Sequence, residues 1–106
     1  MKIVICCSQA MSSSALVIKM RNYVKQNDLD IEVYARTIDQ AVYADKDYDV
    51  LLLGPQIRNE KAKLQALLPD KKIAVVDMIA FGRFDAEAVI KQAKELFEED
   101  IRSDDV

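Results

Sequence analysis

Four short apolar runs, each followed by a stretch of helical periodicity, divide the chain from one end to the other. The runs fall at residues 2–6, 30–35, 48–53 and 72–77. After each, apolar positions recur every three to four residues, the spacing that lines one face of an α-helix. Strict strand–helix alternation predicts an α/β fold with a parallel sheet, because joining parallel neighbours takes a long crossover and a helix makes that crossover compactly. Residues 3–6 and 50–53 are apolar throughout, as central strands covered on both faces are. Residues 30–35 alternate, Ile31 and Val33 against Glu32 and Tyr34, which suits an edge strand. With right-handed crossovers the expected four-stranded sheet has the order 2-1-3-4, with helices on both faces in a three-layer αβα domain.

The helices follow from the same pattern. Residues 15–26 are expected to be helical, with Leu16, Met20, Tyr23 and Asn27 in line and Val24 beside them. Thr37 and Gln40 have the spacing of a capping box and open a short helix to about Ala44. Gly54-Pro55 stops the third strand, and a helix over 57–68 turns Ile57, Leu64, Leu67 and Leu68 inward before Pro69 ends it. Asp85 caps a last helix whose stripe is Val89, Ile90, Ala93, Phe97 and Ile101, fraying into an acidic tail from about residue 98.

Composition sets the outer bounds. The 106 residues make one domain, and 51% hydrophobic residues supply a core, which excludes global disorder. No apolar run approaches the roughly 18 residues of a membrane span. Ser8 and Gln9 cut the first run below the ~7 apolar residues of a signal peptide, so a cytoplasmic location is expected. The net charge is −3, but five of the acids lie in residues 98–106 against one Arg, leaving 13 acids and 14 bases elsewhere. No clustered basic face emerges, so no nucleic-acid partner is expected. His is absent and the two cysteines, Cys6 and Cys7, are adjacent. That leaves no zinc ligand set, and no metal or cofactor is expected. Adjacent free thiols suit a reducing compartment.

The strand order creates a switch point at the carboxyl ends of the first and third strands, where open α/β sheets bind ligands. Cys7 falls there, followed by Ser8, Gln9, Ala10, Met11, Ser12, Ser13 and Ser14 before the helix. A strand–loop–helix connection directs backbone N–H groups inward, and the helix start adds partial positive charge, so residues 8–14 form a candidate phosphate cradle. Cys7 is its candidate nucleophile. Cys6 still belongs to the strand and points to the other side, as a buried apolar residue would. One of Ser12, Ser13 and Ser14 is expected to be the helix N-cap. Met11 suits a partner contact or lid over the loop, and suits core packing equally. A cysteine phosphatase would carry Arg where Ser13 stands, and the first Arg of the helix is Arg21. No acid in the loop can protonate a leaving alcohol, which favours a carrier over a hydrolase. Gly54, Pro55 and Gln56 reach the same sheet edge. They can be a plain turn with Pro at a first helical position, or Gln56 can donate to the loop or to a phosphoryl oxygen. Asp77 is expected to be a turn or cap residue.

Residues 7–21, from Cys7 to Arg21, resemble the active-site segment of the lactose/cellobiose-type IIB proteins of the bacterial phosphoenolpyruvate-dependent sugar phosphotransferase system. Leu52-Leu53-Gly54-Pro55-Gln56-Ile57 is similar to a second segment of that family, with weaker matches at Leu67-Leu68-Pro69, Val76-Asp77 and Phe81-Gly82. The likeness spans essentially residues 1–97. It implies a four-stranded parallel sheet and a phosphocysteine carrier, with the family cysteine at Cys7. Such a carrier accepts a phosphoryl group from a phosphohistidine of the IIA protein and passes it to a sugar bound by the membrane IIC protein. It works as a monomer in the cytoplasm and meets the membrane only through IIC. Gln9-Ala10 stands where the family usually has Ala-Gly, and Phe81 where many members have Tyr. Phe81 is a further candidate for contact with the site or a partner. The alternatives are a relative of the low-molecular-weight cysteine phosphatases and a non-catalytic binding module.

Overall fold

A computed structural model describes residues 1–7, 10–44 and 46–104, with the backbone alone described at 10–13 and 99–104. Strands β1 (Lys2–Cys6), β2 (Glu32–Arg36), β3 (Val50–Leu53) and β4 (Lys72–Val75) form one sheet in the order β2-β1-β3-β4. Every neighbouring pair is parallel. This is the order expected from the apolar runs, with the alternating strand at one edge.

Helices α1 (Ala10–Gln26) and α4 (Ala86–Asp104) cover one face, and α2 (Lys61–Leu67) lies on the other. Strand alternation divides the core between them. Ile3, Ile5, Val50 and Leu52 face Leu16, Met20, Val89, Ile90 and Ala93. Val4, Cys6, Leu51 and Leu53 face Val42, Ile57, Leu64 and Leu68. Residues 3–6 and 50–53 of the central strands are thus buried on both sides, which is why these stretches carry no polar residue.

Several boundaries differ from the sequence expectations. The first helix begins at Ala10 instead of 15, so Ser12, Ser13 and Ser14 lie inside it and none of them caps it. No Gly or Pro occurs before Gly54, and nothing in this stretch breaks a helix once started. The Thr37–Gln40 capping box is present in both directions, at 3.0 and 3.2 Å, and leads into a turn of π-helix, Gln40–Ala44. The helix expected over 57–68 divides into a 3₁₀ segment, Pro55–Glu60, and α2. The 3₁₀ segment is itself kinked at Ile57 (φ −117°, ψ 28°), whose side chain is buried. Leu67, expected to face inward, is 48% exposed. Phe97 of the α4 stripe is 42% exposed, because α4 runs past the end of the core there. The side chain of Ile101 lies outside the described residues, and α4 continues to Asp104 instead of fraying at 98.

A short helix absent from the sequence expectations, α3 (Met78–Gly82), follows β4. Asp77 is its N-cap, accepting from the Ala80 N–H at 3.1 Å, so the cap was legible although the helix was not. Gln92 of α4 ties the same corner together, donating to the Val75 carbonyl at 2.7 Å and accepting from the Asp77 N–H at 3.3 Å.

Candidate active site

Strand register brings the two halves of the site together. Cys6, the last residue of β1, is level with Leu53, the last of β3. The next residues, Cys7 and Gly54, therefore leave the sheet side by side. The Gly54 N–H donates to the Cys6 carbonyl at 2.7 Å, extending the ladder by one bond. Both central strands thus end at the crevice where the chain's crossovers diverge, the usual ligand position of such sheets.

The two cysteines have separate fates. Cys6 is fully buried on the α2 face, its thiol donating to the Thr37 carbonyl at 3.7 Å. Burial pushes that thiol up to about 12, helped by the neighbouring Cys7, with Arg36 acting the other way. It is a core residue. Cys7 lies on the α1 face, packed in the same cluster as Val76, Ala80 and Phe81, and retains 7% exposure. Its thiol donates to the Gln56 Oε1 at 3.6 Å, a contact between residues 49 positions apart.

Gly54 is needed here for space. Its backbone (φ −59°, ψ 149°) suits any residue. A Cβ at this position, however, would lie 2.9 Å from Gln56 Oε1 and 3.2 Å from Cys7 Sγ. Pro55, at the first turn of the 3₁₀ segment, and Ile57 are buried on either side of the exposed Gln56. The turn is held by the Ile57 N–H on the Gly54 carbonyl (3.0 Å) and by Arg58 Nη1 on the Pro55 carbonyl (3.1 Å). Gly54-Pro55-Gln56 is therefore both a turn and a neighbour of the thiol.

Ser8 and Gln9 of the candidate cradle lie outside the described residues, as do the side chains of Ala10, Met11, Ser12 and Ser13. Ser14 is exposed on α1. Since α1 starts at Ala10, its first turn comes only three residues after Cys7. The positive end of a 17-residue helix is thereby set close to the thiol in sequence and at the same end of the sheet.

Arg21 is turned away from this end. Its Nε donates to the Val33 carbonyl of the edge strand at 2.8 Å, and its guanidinium lies 5.5 Å from the Tyr34 ring. The sequence reading passed over Arg58 and Met78, which with Pro55, Gln56, Phe81 and Gly82 line an open pocket of about 280 Å³. Met78 is 65% exposed. The signal for both is indirect, since each belongs to the turn that leaves a strand at this edge. Phe81 is buried in the thiol's own cluster, so it forms an apolar wall and not a free surface. Among the described residues no group of three acidic, Cys or His side chains is arranged to hold a metal ion.

The profile of a family described as "PTS system, Lactose/Cellobiose specific IIB subunit" matches residues 2–92. The oligo-beta-mannoside-specific EIIB component of Bacillus subtilis is 35% identical, the match covering 90% of this chain and 94% of that protein. The cellobiose-specific EIIB component of Lactococcus lactis is 33% identical, covering 89% and 94%. The solution structure of a cellobiose-specific phosphotransferase IIB component from Borrelia burgdorferi superposes with a TM-score of 0.77 at 28% identity, covering 93% of each chain.

Proposed function

The chain belongs to the lactose/cellobiose-specific IIB family of the phosphoenolpyruvate-dependent sugar phosphotransferase systems, and from that membership we propose that it is a phosphoryl carrier whose acceptor is Cys7. Components of this family are phosphotransferases that work with IIA and IIC partners. The supporting observation is the position of the Cys7 thiol, at the end of β1, against Gln56 and just ahead of α1.

The Cys7 sulfur gives up its thiol proton and attacks the phosphorus of a phosphohistidine on the IIA protein. The S–P bond forms as the P–N bond breaks, its electron pair returning to the imidazole, which takes up a proton. In the second transfer a sugar hydroxyl on IIC loses its proton and attacks the same phosphorus, and the S–P bond breaks, its electron pair returning to the sulfur, which regains a proton. The positive end of α1 favours the phosphoryl oxygens in both steps. The cradle of residues 8–14 is proposed on this basis, the helix start acting together with Ser8 and Gln9 of the connection before it. The exposed Met78 and the pocket beside Gln56 offer an apolar surface for a docking partner. The sugar is a β-linked oligosaccharide of the cellobiose or lactose type. The carrier is a monomer that works in the cytoplasm and reaches the membrane through IIC. No helix among the described residues is long and apolar enough to cross a membrane.

Incubation with phosphoenolpyruvate, the general system proteins and a IIA protein of this class should add one phosphoryl group to the intact mass. Cys7→Ser should abolish the addition with the fold retained, and Cys6→Ser should keep it. Uptake that survives in Cys7→Ser and fails in Cys6→Ser would reverse the assignment.

A further inference from the structure

We propose that Gln56 exchanges hydrogen bonds with the reacting centre, its carboxamide accepting from the Cys7 thiol before transfer and donating Nε2–H to a phosphoryl oxygen after it. The inference rests on Cys7 being the phosphoryl acceptor. Gln56 Oε1 is 3.6 Å from Sγ, and a Cβ at position 54 would crowd both atoms, at 2.9 Å and 3.2 Å. A thiol needs an acceptor, whereas a phosphorylated sulfur surrounds itself with acceptor oxygens and needs donors. A carboxamide offers both without a net charge, an acceptor at Oε1 and two donors at Nε2. Exchange takes a half-turn of its terminal torsion, which has a broad profile. Gln56 is exposed, so no packing opposes that turn, while buried Pro55 and Ile57 hold its backbone in place.

The choice of a neutral donor also fits the chemistry of a carrier. A guanidinium at this point would bind the phosphoryl group bidentately and oppose its release. An amide favours the dianion enough to load it and leaves it transferable. Of the first two cations along α1, Lys19 lies over the Phe84 ring at 5.7 Å and Arg21 is committed to Val33 and Tyr34.

The test measures the equilibrium ratio of phospho-Cys7 to phospho-IIA by intact mass, in the wild type, Gln56→Ala, Gln56→Glu and Gly54→Ala. Folding of each is checked by thermal melt. Gln56→Ala loses a hydrogen bond to a charged group after transfer and a weaker one to the neutral thiol before it, and the difference should lower the ratio about fivefold. Gln56→Glu can still accept from the thiol but repels the dianion, so its ratio should fall further. Gly54→Ala leaves Gln56 in place chemically but wedges it from the sulfur, and should also lower the ratio. In the wild type the Gln56 side-chain amide resonances should shift on phosphorylation. Ratios within twofold of wild type in Gln56→Ala or Gln56→Glu, or side-chain amide signals that stay put, would overturn the proposal while leaving Cys7 as acceptor. A wild type that takes up no phosphoryl group would instead overturn the carrier function itself.

Discussion

Adjacent cysteines give the clearest view of how one residue step changes chemistry. Strand pleating sends Cys6 to the α2 face and Cys7 to the α1 face, so one thiol is walled into apolar packing and the other borders the crevice. Burial raises Cys6 from 9.0 to about 12. Below pH 9 the folded and unfolded chains both keep that proton. From pH 9 to 12 the unfolded chain releases it and the folded chain does not, so stability falls as pH rises through this window. The full shift corresponds to about 4 kcal/mol. Urea unfolding at pH 8, 9, 10 and 10.5 should therefore show a steeper alkaline loss in the wild type than in Cys6→Ala, all other titrating groups being shared. Parallel slopes would remove Cys6 as the cause.

At the scale of elements, the sequence pattern was reliable where helices are long and central strands continuous. It was least reliable in short segments. The five residues of α3 are too few to show periodicity, so Asp77 was read as a cap with no helix after it. The stretch 57–68 illustrates a second limit. Leu67 is the last residue of α2 and is 48% exposed, whereas Leu68 caps it in a non-helical conformation (φ −127°, ψ 67°) and is 2% exposed. Leu64, at 1% exposure, should cost about 2–5 kcal/mol on truncation to Ala. Leu67→Ala should cost under about 1 kcal/mol. Guanidinium unfolding of the two variants measures both, and equal losses would contradict this orientation of α2.

At the scale of the whole molecule, carrying a phosphoryl group and hydrolysing it make different demands. Hydrolysis at a cysteine needs a cation to hold the oxygens and an acid to protonate the leaving group. Arg21 is spent on the edge strand, and the Asp77 carboxylate caps α3. The purified chain should accordingly show no steady turnover of an aryl phosphate. Arg21→Ala should weaken the β2 edge yet leave phosphoryl uptake by Cys7 within about twofold, since it removes contacts remote from the thiol. Turnover that disappears in Cys7→Ser would favour the phosphatase alternative.

The amino-acid order alone determined the strand sequence, the edge position of β2, the two-sided burial of β1 and β3, and the end of the sheet at which Cys7 emerges. These follow from which stretches can be taken out of water and how long each connection is. It did not determine that Gly54 and Gln56 would touch the thiol. That contact spans 49 positions and depends on Cys6 pairing level with Leu53. A slip of two residues would leave the same side chains on the same faces and satisfy the same apolar pattern. Only packing of both faces at once selects one register, and with it the neighbours of the Cys7 sulfur.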